Sequence, residues 1–164
     1  MRENITIKIH EDCAKTYDAQ VQEYDSHLHE ALFGMCYEFI NPDESLLDVG
    51  VGTGLSSILF SKAGLQIHGM DGSKAMLNQC RKKNFTKSLE LHDITKIPWP
   101  YPKDSFSYTL ICGVTHFIGE IESFISEARR ILKKSGIFAF TIATPSTEEL
   151  DRESQESLPY IEVG

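Results

Sequence analysis

A run of apolar residues that ends in three alternating glycines constrains this chain more than any other feature. The run starts at Leu46, and the glycines are Gly50, Gly52 and Gly54. Glycine lacks a Cβ, so this spacing allows a turn too tight for side chains and brings bare backbone against a ligand. An amphipathic segment follows. The pattern therefore predicts a buried strand, a ligand-binding turn and a helix whose unpaired N–H groups face that turn.

Strand and helix patterns alternate after this point. The predicted strands are 45–49, 65–70, 88–92, 106–112 and 137–143, and the predicted helices are 55–62, 73–84 and 121–132. Ser73 is a candidate N-cap and Gly136 a candidate C-cap. The alternation indicates an α/β fold with a doubly wound, mostly parallel sheet and helices on both faces. Ligands of such sheets bind at the carboxyl ends of the strands, which here are 50–54, 71–73, 92–94 and 112–117.

The chain divides into three segments by composition. Apolar residues at three- and four-residue spacing predict an N-terminal helical cap over 1–42, which ends in a linker containing Pro42. The alternating core covers 43–144, and a polar, acidic tail covers 145–164. A length of 164 residues fits one domain overall.

The net charge of −8 argues against a nucleic acid as the partner, because a phosphate backbone would repel an acidic protein. The sequence has no stretch of about twenty apolar residues, so we expect no membrane span. The four cysteines are widely spread and form no Cys-x-x-Cys pair, so we expect no metal site. They are typical of reduced thiols in the cytoplasm.

The glycine loop fits two cofactor classes, which the position of the third glycine and the carboxylate of Asp48 help to separate. A dinucleotide fingerprint has the pattern G-x-G-x-x-G, and its third glycine would fall at Leu55. Asp48 precedes the loop, where a carboxylate opposes a pyrophosphate and suits a ligand with a positive amino group. Asp71 ends the second predicted strand, where a carboxylate can accept both hydroxyls of a ribose in either class.

Four segments, in order, resemble the motifs of class I S-adenosylmethionine-dependent methyltransferases. The first is Leu47-Asp48-Val49-Gly50-Val51-Gly52-Thr53-Gly54, and the second is His68-Gly69-Met70-Asp71-Gly72-Ser73-Lys74-Ala75-Met76-Leu77. The third begins Ser105-Phe106-Ser107-Tyr108, and the fourth runs from Ala128 to Phe138. The resemblance covers roughly Tyr17 to Thr144 and implies the cofactor S-adenosyl-L-methionine.

The resemblance also implies a role for each matching residue. Asp48, Gly50, Gly52 and Gly54 would hold the methionyl end of the cofactor. Asp71 would bind the ribose, with Gly72 and Met76 around the adenosine. Asp93 and Ile94 would contact the adenine edge, and Cys112 and Gly113 would line the cleft under the sulfonium. Tyr17 and Tyr24 would cover the cofactor. Two of these assignments keep alternatives, because the tyrosines also suit a helix core and Asp93 also suits a helix cap.

The implied reaction needs little from the protein, because a sulfonium carries a good leaving group and requires no metal. Catalysis then rests on holding nucleophile, methyl group and sulfur in line. A general base helps only where the nucleophile arrives protonated. His116 is the candidate base, since it follows the fourth predicted strand, and lining the pocket is its alternative role.

One departure from the family is the length that follows the fifth predicted strand. The family sheet normally ends in two further strands, six and seven, and roughly twenty residues cannot supply them with a helix. We therefore expect those strands to be missing, as in a fragment or a minimal version of the fold.

The leading hypothesis is methyl transfer from S-adenosylmethionine to a small-molecule acceptor, because the sequence contains no recognisable module for binding RNA, DNA or protein. Two alternatives remain open. One is a nicotinamide-dependent oxidoreductase, which the absent third glycine disfavours. The other is a non-catalytic protein that binds S-adenosylmethionine. The acceptor and the oligomeric state do not follow from the sequence.

Overall fold

A computed structural model of the chain describes residues 5–115 and 121–142. The helices are α1 (Ile5–Cys13), α2 (Tyr17–Glu23), α3 (Leu28–Cys36), α4 (Ser57–Lys62), α5 (Lys74–Lys82) and α6 (Ile121–Ile131), with a 3-10 turn over Tyr37–Phe39. The strands are β1 (Ser45–Val49), β2 (Gln66–Asp71), β3 (Thr86–Leu91), β4 (Phe106–Ile111) and β5 (Leu132–Phe140).

These five strands form one parallel sheet in the order β3-β2-β1-β4-β5. The order confirms the predicted doubly wound α/β fold. β1 is central and pairs with β2 on one side and with β4 on the other. The winding reverses between β1 and β4, which is where ligands bind in sheets of this kind.

The central strands β1 and β4 are buried on both faces of the sheet. Successive side chains of a strand point in opposite directions, so β1 contributes to a core cluster on each face. Leu47 and Val49 belong to a core cluster with Trp99 and with α6. Leu46 belongs to the opposite cluster, with residues of α3 and α4. Asp48 shares the face of Leu46, so its carboxyl group points into that second layer.

Ser73 caps α5 as the sequence predicts, because its side chain accepts a hydrogen bond from the backbone N–H of Met76 at 3.1 Å. Gly136 does not cap α6. It lies inside β5, which begins immediately after α6 and pairs with β4 through a register shift between Phe106 and Tyr108. The predicted start of β5 was therefore five residues late. The polar tail over 145–164 lies outside the described residues.

Candidate functional site

The glycine loop joins β1 to α4, and β2 fixes its start. The backbone N–H groups of Gly50 and Val51 both donate to the carbonyl of Met70, at 2.8 and 3.0 Å. Gly52 has a φ of +53°, and a Cβ added there would meet nothing closer than the Gly50 carbonyl oxygen at 4.0 Å. The loop therefore presents backbone to open space at Gly52.

Gly50 and Gly54 are required for packing. A Cβ on Gly50 would lie 2.7 Å from a methyl group of Val114, in the loop after β4. A Cβ on Gly54 would lie 2.6 Å from Phe85 and 2.9 Å from the sulfur of Cys80. Gly54 therefore allows α4 to approach the α5–β3 region.

A cleft lies at the carboxyl ends of the strands and has about 690 Å³ of empty space, including its open mouth. Ten of the thirteen predicted cofactor-binding residues line it: Tyr17, Gly50, Gly52, Asp71, Gly72, Met76, Asp93, Ile94, Cys112 and Gly113. The structure thus brings together residues at the carboxyl ends of β1, β2 and β4, where ligands of doubly wound sheets bind.

Asp71 lies at the base of this cleft with both carboxylate oxygens engaged. Oδ2 accepts the backbone N–H of Gly52 at 2.9 Å, and Oδ1 accepts that of Ser73 at 2.7 Å. Burial raises the pKa of Asp71, and these two hydrogen bonds oppose the rise. A carboxylate offers about four lone-pair sites, so each oxygen keeps acceptor capacity for a ligand hydroxyl.

Helix α1 covers the adjoining part of the cleft, and three of its residues, Thr6, Ile7 and His10, line it. A Cβ on Gly72 would lie 2.7 Å from Ile7, so the glycine admits the helix. Both carboxylate oxygens of Glu11 lie 3.2 Å from the backbone N–H of Ala75, at the start of α5. A carboxylate there complements the helix dipole.

Helix α2 reaches the glycine loop through Asp18. The hydroxyl of Thr53 donates to Oδ1 of Asp18 at 2.5 Å. Oδ2 of Asp18 lies 2.6 Å from Nζ of Lys83, which follows α5. The preceding residue, Tyr17, lines the cleft, and its pKa is raised by burial first and then by the nearby thiol of Cys112.

Asp48 does not line the cleft; it lies buried beneath the glycine loop, with 1% of its surface exposed. Its Oδ2 and the hydroxyl of Ser57 are both buried with no hydrogen-bond partner in the described chain. Burial raises the pKa of Asp48 to about 7. The adjacent carboxylate of Asp71 adds to this rise.

Asp93 lies at the rim of the cleft and caps a turn. Its Oδ1 accepts the backbone N–H of Thr95 at 3.1 Å and the Thr95 hydroxyl at 2.7 Å. Burial pushes the pKa of Asp93 upwards, but the Thr95 bonds and Lys96 outweigh burial and lower it. The capping alternative is therefore present in the structure, and a contact between Asp93 and an adenine stays a prediction.

Three of the predicted cofactor-binding residues, Asp48, Gly54 and Tyr24, do not line the cleft. Tyr24 lies just after α2, is 81% exposed and lines neither of the cavities around the glycine loop. His116 lies outside the described residues. Among the residues that the structure describes, no group of three or more His, Cys, Asp or Glu side chains is arranged to hold a metal ion. No helix within the described ranges has the length and apolar character needed to cross a membrane.

Sequence reasoning missed Thr6, Ile7 and His10. The amphipathic pattern of the N-terminal segment predicts a helix but not where that helix docks. A usable signal was Gly72 beside Asp71, because a glycine at a strand end often admits a neighbouring element.

Comparison with known proteins gives the family of the chain. Residues 47–140 match a family described as a methyltransferase domain. The chain is 32% identical over 102 residues to a demethylmenaquinone methyltransferase of Tropheryma whipplei, a match that covers 59% of this chain and 41% of that protein. It is 28% identical over 138 residues to a malonyl-[acyl-carrier protein] O-methyltransferase of Serratia marcescens, covering 84% of this chain and 52% of that protein. The chain thus spans about half the length of these relatives.

The fold is also similar to that of solved structures. A SAM-dependent methyltransferase from Thermotoga maritima superimposes with a TM-score of 0.66 at 21% identity, and the match covers 90% of this chain and 67% of that one. At this identity the likeness concerns the fold alone.

Proposed function

Since the chain belongs to the methyltransferase domain family, whose class I fold uses S-adenosylmethionine as its cofactor, we propose that it transfers a methyl group from this cofactor to a small-molecule acceptor. One observation carries the proposal. The bare backbone at Gly52 and the carboxylate of Asp71 face one cleft at the point where the sheet reverses its winding. This is the position that a nucleoside cofactor takes in doubly wound sheets.

The residues present fit a sulfonium nucleoside. Asp71 retains acceptor capacity for the ribose hydroxyls, and Met76 and Ile94 supply apolar surface for an adenine. No lysine or arginine is among the described residues that line the cleft, so no fixed cation opposes a positive sulfonium. The buried carboxyl of Asp48 adds a group that favours positive charge near the loop when it is ionised.

The bound cofactor would supply an activated methyl group, and the chain would supply position. Gly50 and Gly52 would hold the amino-acid half against the loop, and Asp71 would fix the ribose. Cys112 and Gly113 would form the floor beneath the reacting centre. Burial raises the pKa of Cys112, so this thiol stays protonated at neutral pH and suits a floor residue rather than a nucleophile. We keep His116 as the proposed base for acceptors that arrive protonated.

The choice of a small-molecule acceptor is supported by the net charge and by one of the two relatives. The net charge of −8 disfavours a nucleic acid. The relative named for demethylmenaquinone acts on a small molecule, whereas the one named for malonyl-[acyl-carrier protein] acts on a carrier-bound group. A survey of free amines, phenols, thiols and carboxylates as acceptors, with carrier-bound acids as comparison, distinguishes these cases.

Calorimetric titration with S-adenosylhomocysteine, the demethylated product, tests the proposal. We expect micromolar affinity for the wild-type chain. Asp71→Ala removes hydrogen bonds to a charged acceptor worth about 1.5–3 kcal/mol each, so affinity should fall about 10- to 150-fold per bond. A folded protein that gives no heat with this ligand but changes NADH fluorescence would instead support the oxidoreductase alternative. Binding without turnover on any acceptor would support a non-catalytic protein.

A further inference from the structure

A second cavity adjoins the main cleft at the glycine loop. It has about 480 Å³ of empty space, including its open mouth. Five residues line both cavities: Tyr17, Gly50, Gly52, Cys112 and Gly113. The second cavity adds Ser26, from the turn between α2 and α3, and His29, from the first turn of α3. Neither the motifs nor the main cleft include these two residues.

Some hydrogen-bonding side chains of this cavity are already engaged. The hydroxyl of Thr53 donates to Asp18. The hydroxyl of Ser56 interacts with the thiol of Cys112 and lowers its pKa against the effect of burial. By contrast, the side chains of Ser26 and His29 make no hydrogen bond within the described part of the chain.

The charge of this cavity limits what can bind an anion there. Lysine and arginine are absent from the described residues that line it. Lys83 lies nearby but is paired with Asp18. A carboxylate entering the cavity must therefore be held by neutral donors or by the imidazole of His29. An imidazole N–H and a serine hydroxyl are both suitable donors to a carboxylate.

We infer that His29 and Ser26 bind the amino-acid carboxylate of the cofactor, an assignment that rests on the proposed function. Asp71 and Met76 suit the adenosine half in the main cleft, so the amino-acid half extends across the glycine loop into the second cavity. The affinity for the cofactor then depends on its amino-acid end, because His29 binds the carboxylate there. The chain should prefer S-adenosylhomocysteine over a nucleoside thioether that lacks this end.

Two ligands that differ only in this end provide the test: S-adenosylhomocysteine and 5′-methylthioadenosine, both titrated calorimetrically. His29→Phe keeps an aromatic ring but removes the donor, and we expect about 10- to 100-fold weaker binding of S-adenosylhomocysteine. His29→Gln keeps an N–H donor and should retain affinity within about three-fold of wild type. All variants should bind 5′-methylthioadenosine within about two-fold of one another.

His27→Gln is the matched control. His27 lies two residues before His29, at the N-cap of α3, but is exposed and bonded to Glu30 and Asp25, so its replacement should leave both affinities unchanged. Ser26 is exposed, so Ser26→Ala provides a second variant if His29→Phe does not fold, and it should weaken only S-adenosylhomocysteine, about three- to ten-fold.

Equal effects of His29→Phe on both ligands, or no effect on either, would overturn the inference while leaving the proposed function intact. Failure of the wild-type chain to bind either ligand would overturn both.

Discussion

The backbone N–H of Gly52 donates to Oδ2 of Asp71 over 2.9 Å, so one hydrogen bond joins the glycine loop after β1 to the acidic end of β2. Asp71 is thus both the proposed ribose ligand and the group that fixes the loop. The shape of the loop and the position of the carboxylate depend on each other.

Asp71→Asn tests this coupling. An amide would turn its NH₂ group towards one of two backbone N–H donors, at Gly52 or Ser73, and one of these bonds would be lost. We expect a loss of about 1–3 kcal/mol in the free energy of unfolding, measured by chemical denaturation, together with weaker binding of S-adenosylhomocysteine. Asp104→Asn is the control, because Asp104 is exposed and has a φ of +56°, which asparagine tolerates. Unchanged stability in Asp71→Asn would contradict the coupling.

The hydrogen bond between Thr53 and Asp18 should slow the release of the cofactor, because it ties α2 to the glycine loop. Thr53→Val keeps the shape of this buried residue and removes the hydroxyl. We expect this change to weaken the interaction between α2 and the glycine loop by about 1 kcal/mol. That loss corresponds to roughly five-fold faster dissociation of S-adenosylhomocysteine in stopped-flow experiments.

Lys83→Met provides the comparison for that experiment. It removes the partly exposed ion pair with Asp18 and leaves the Thr53 bond in place. Partly exposed pairs contribute little, so its effect on dissociation should be smaller. A larger effect for Lys83→Met than for Thr53→Val would show that charge, and not the bond to the loop, holds α2.

Local sequence signals were enough to predict the elements that carry strong periodicity or a cap. The apolar runs at β1 and β4 matched, and Ser73 marked the start of α5. The start of β5 was not predictable in this way. The polar residues Lys133, Lys134 and Ser135 give no strand signal, and they lie in the irregular part of β5 between the pairs Phe106–Leu132 and Tyr108–Ile137.

The candidate site likewise has one part that the sequence predicts and one part that it does not. Gly50, Asp71 and Cys112 were correctly predicted to share one cleft, because the binding of ligands at the carboxyl ends of strands depends only on topology. The docking of α1 depends on Ile7 meeting Gly72 and on Glu11 reaching the start of α5. These are contacts between residues more than sixty positions apart, and no local pattern encodes them.

Asp48 should make the protein less stable as the pH rises from about 4 to 7. An aspartate carboxyl in the unfolded chain ionises near its pKa of 3.8, whereas burial raises the pKa of Asp48 to about 7 in the folded chain. Between these values the folded state binds the extra proton, so stability falls with pH by up to about 1.4 kcal/mol per unit. Below pH 4 this stabilising contribution is fully present.

Asp48→Asn removes this titration while keeping the size of the side chain. Chemical denaturation at several pH values should show the variant gaining stability relative to wild type as the pH rises to 7, with no further change above it. Parallel stability curves for the two proteins would mean that Asp48 ionises with an ordinary pKa in the folded state.

Two glycines of the loop should respond differently to the same substitution. Gly52→Ala places a methyl group in open space at a φ of +53°, so the cost is a backbone strain of roughly 1–2 kcal/mol. The methyl group would nevertheless stand where the cofactor approaches, and we expect at least ten-fold weaker binding of S-adenosylhomocysteine.

Gly54→Ala adds contacts of 2.6 Å to Phe85 and 2.9 Å to Cys80 at a φ of +85°, so overpacking should raise the loss in the free energy of unfolding to about 2–5 kcal/mol. Its folded fraction should bind the ligand better than Gly52→Ala does. Equal stability of the two variants, or weaker binding by Gly54→Ala, would contradict this division between a glycine that faces the ligand and one that serves packing.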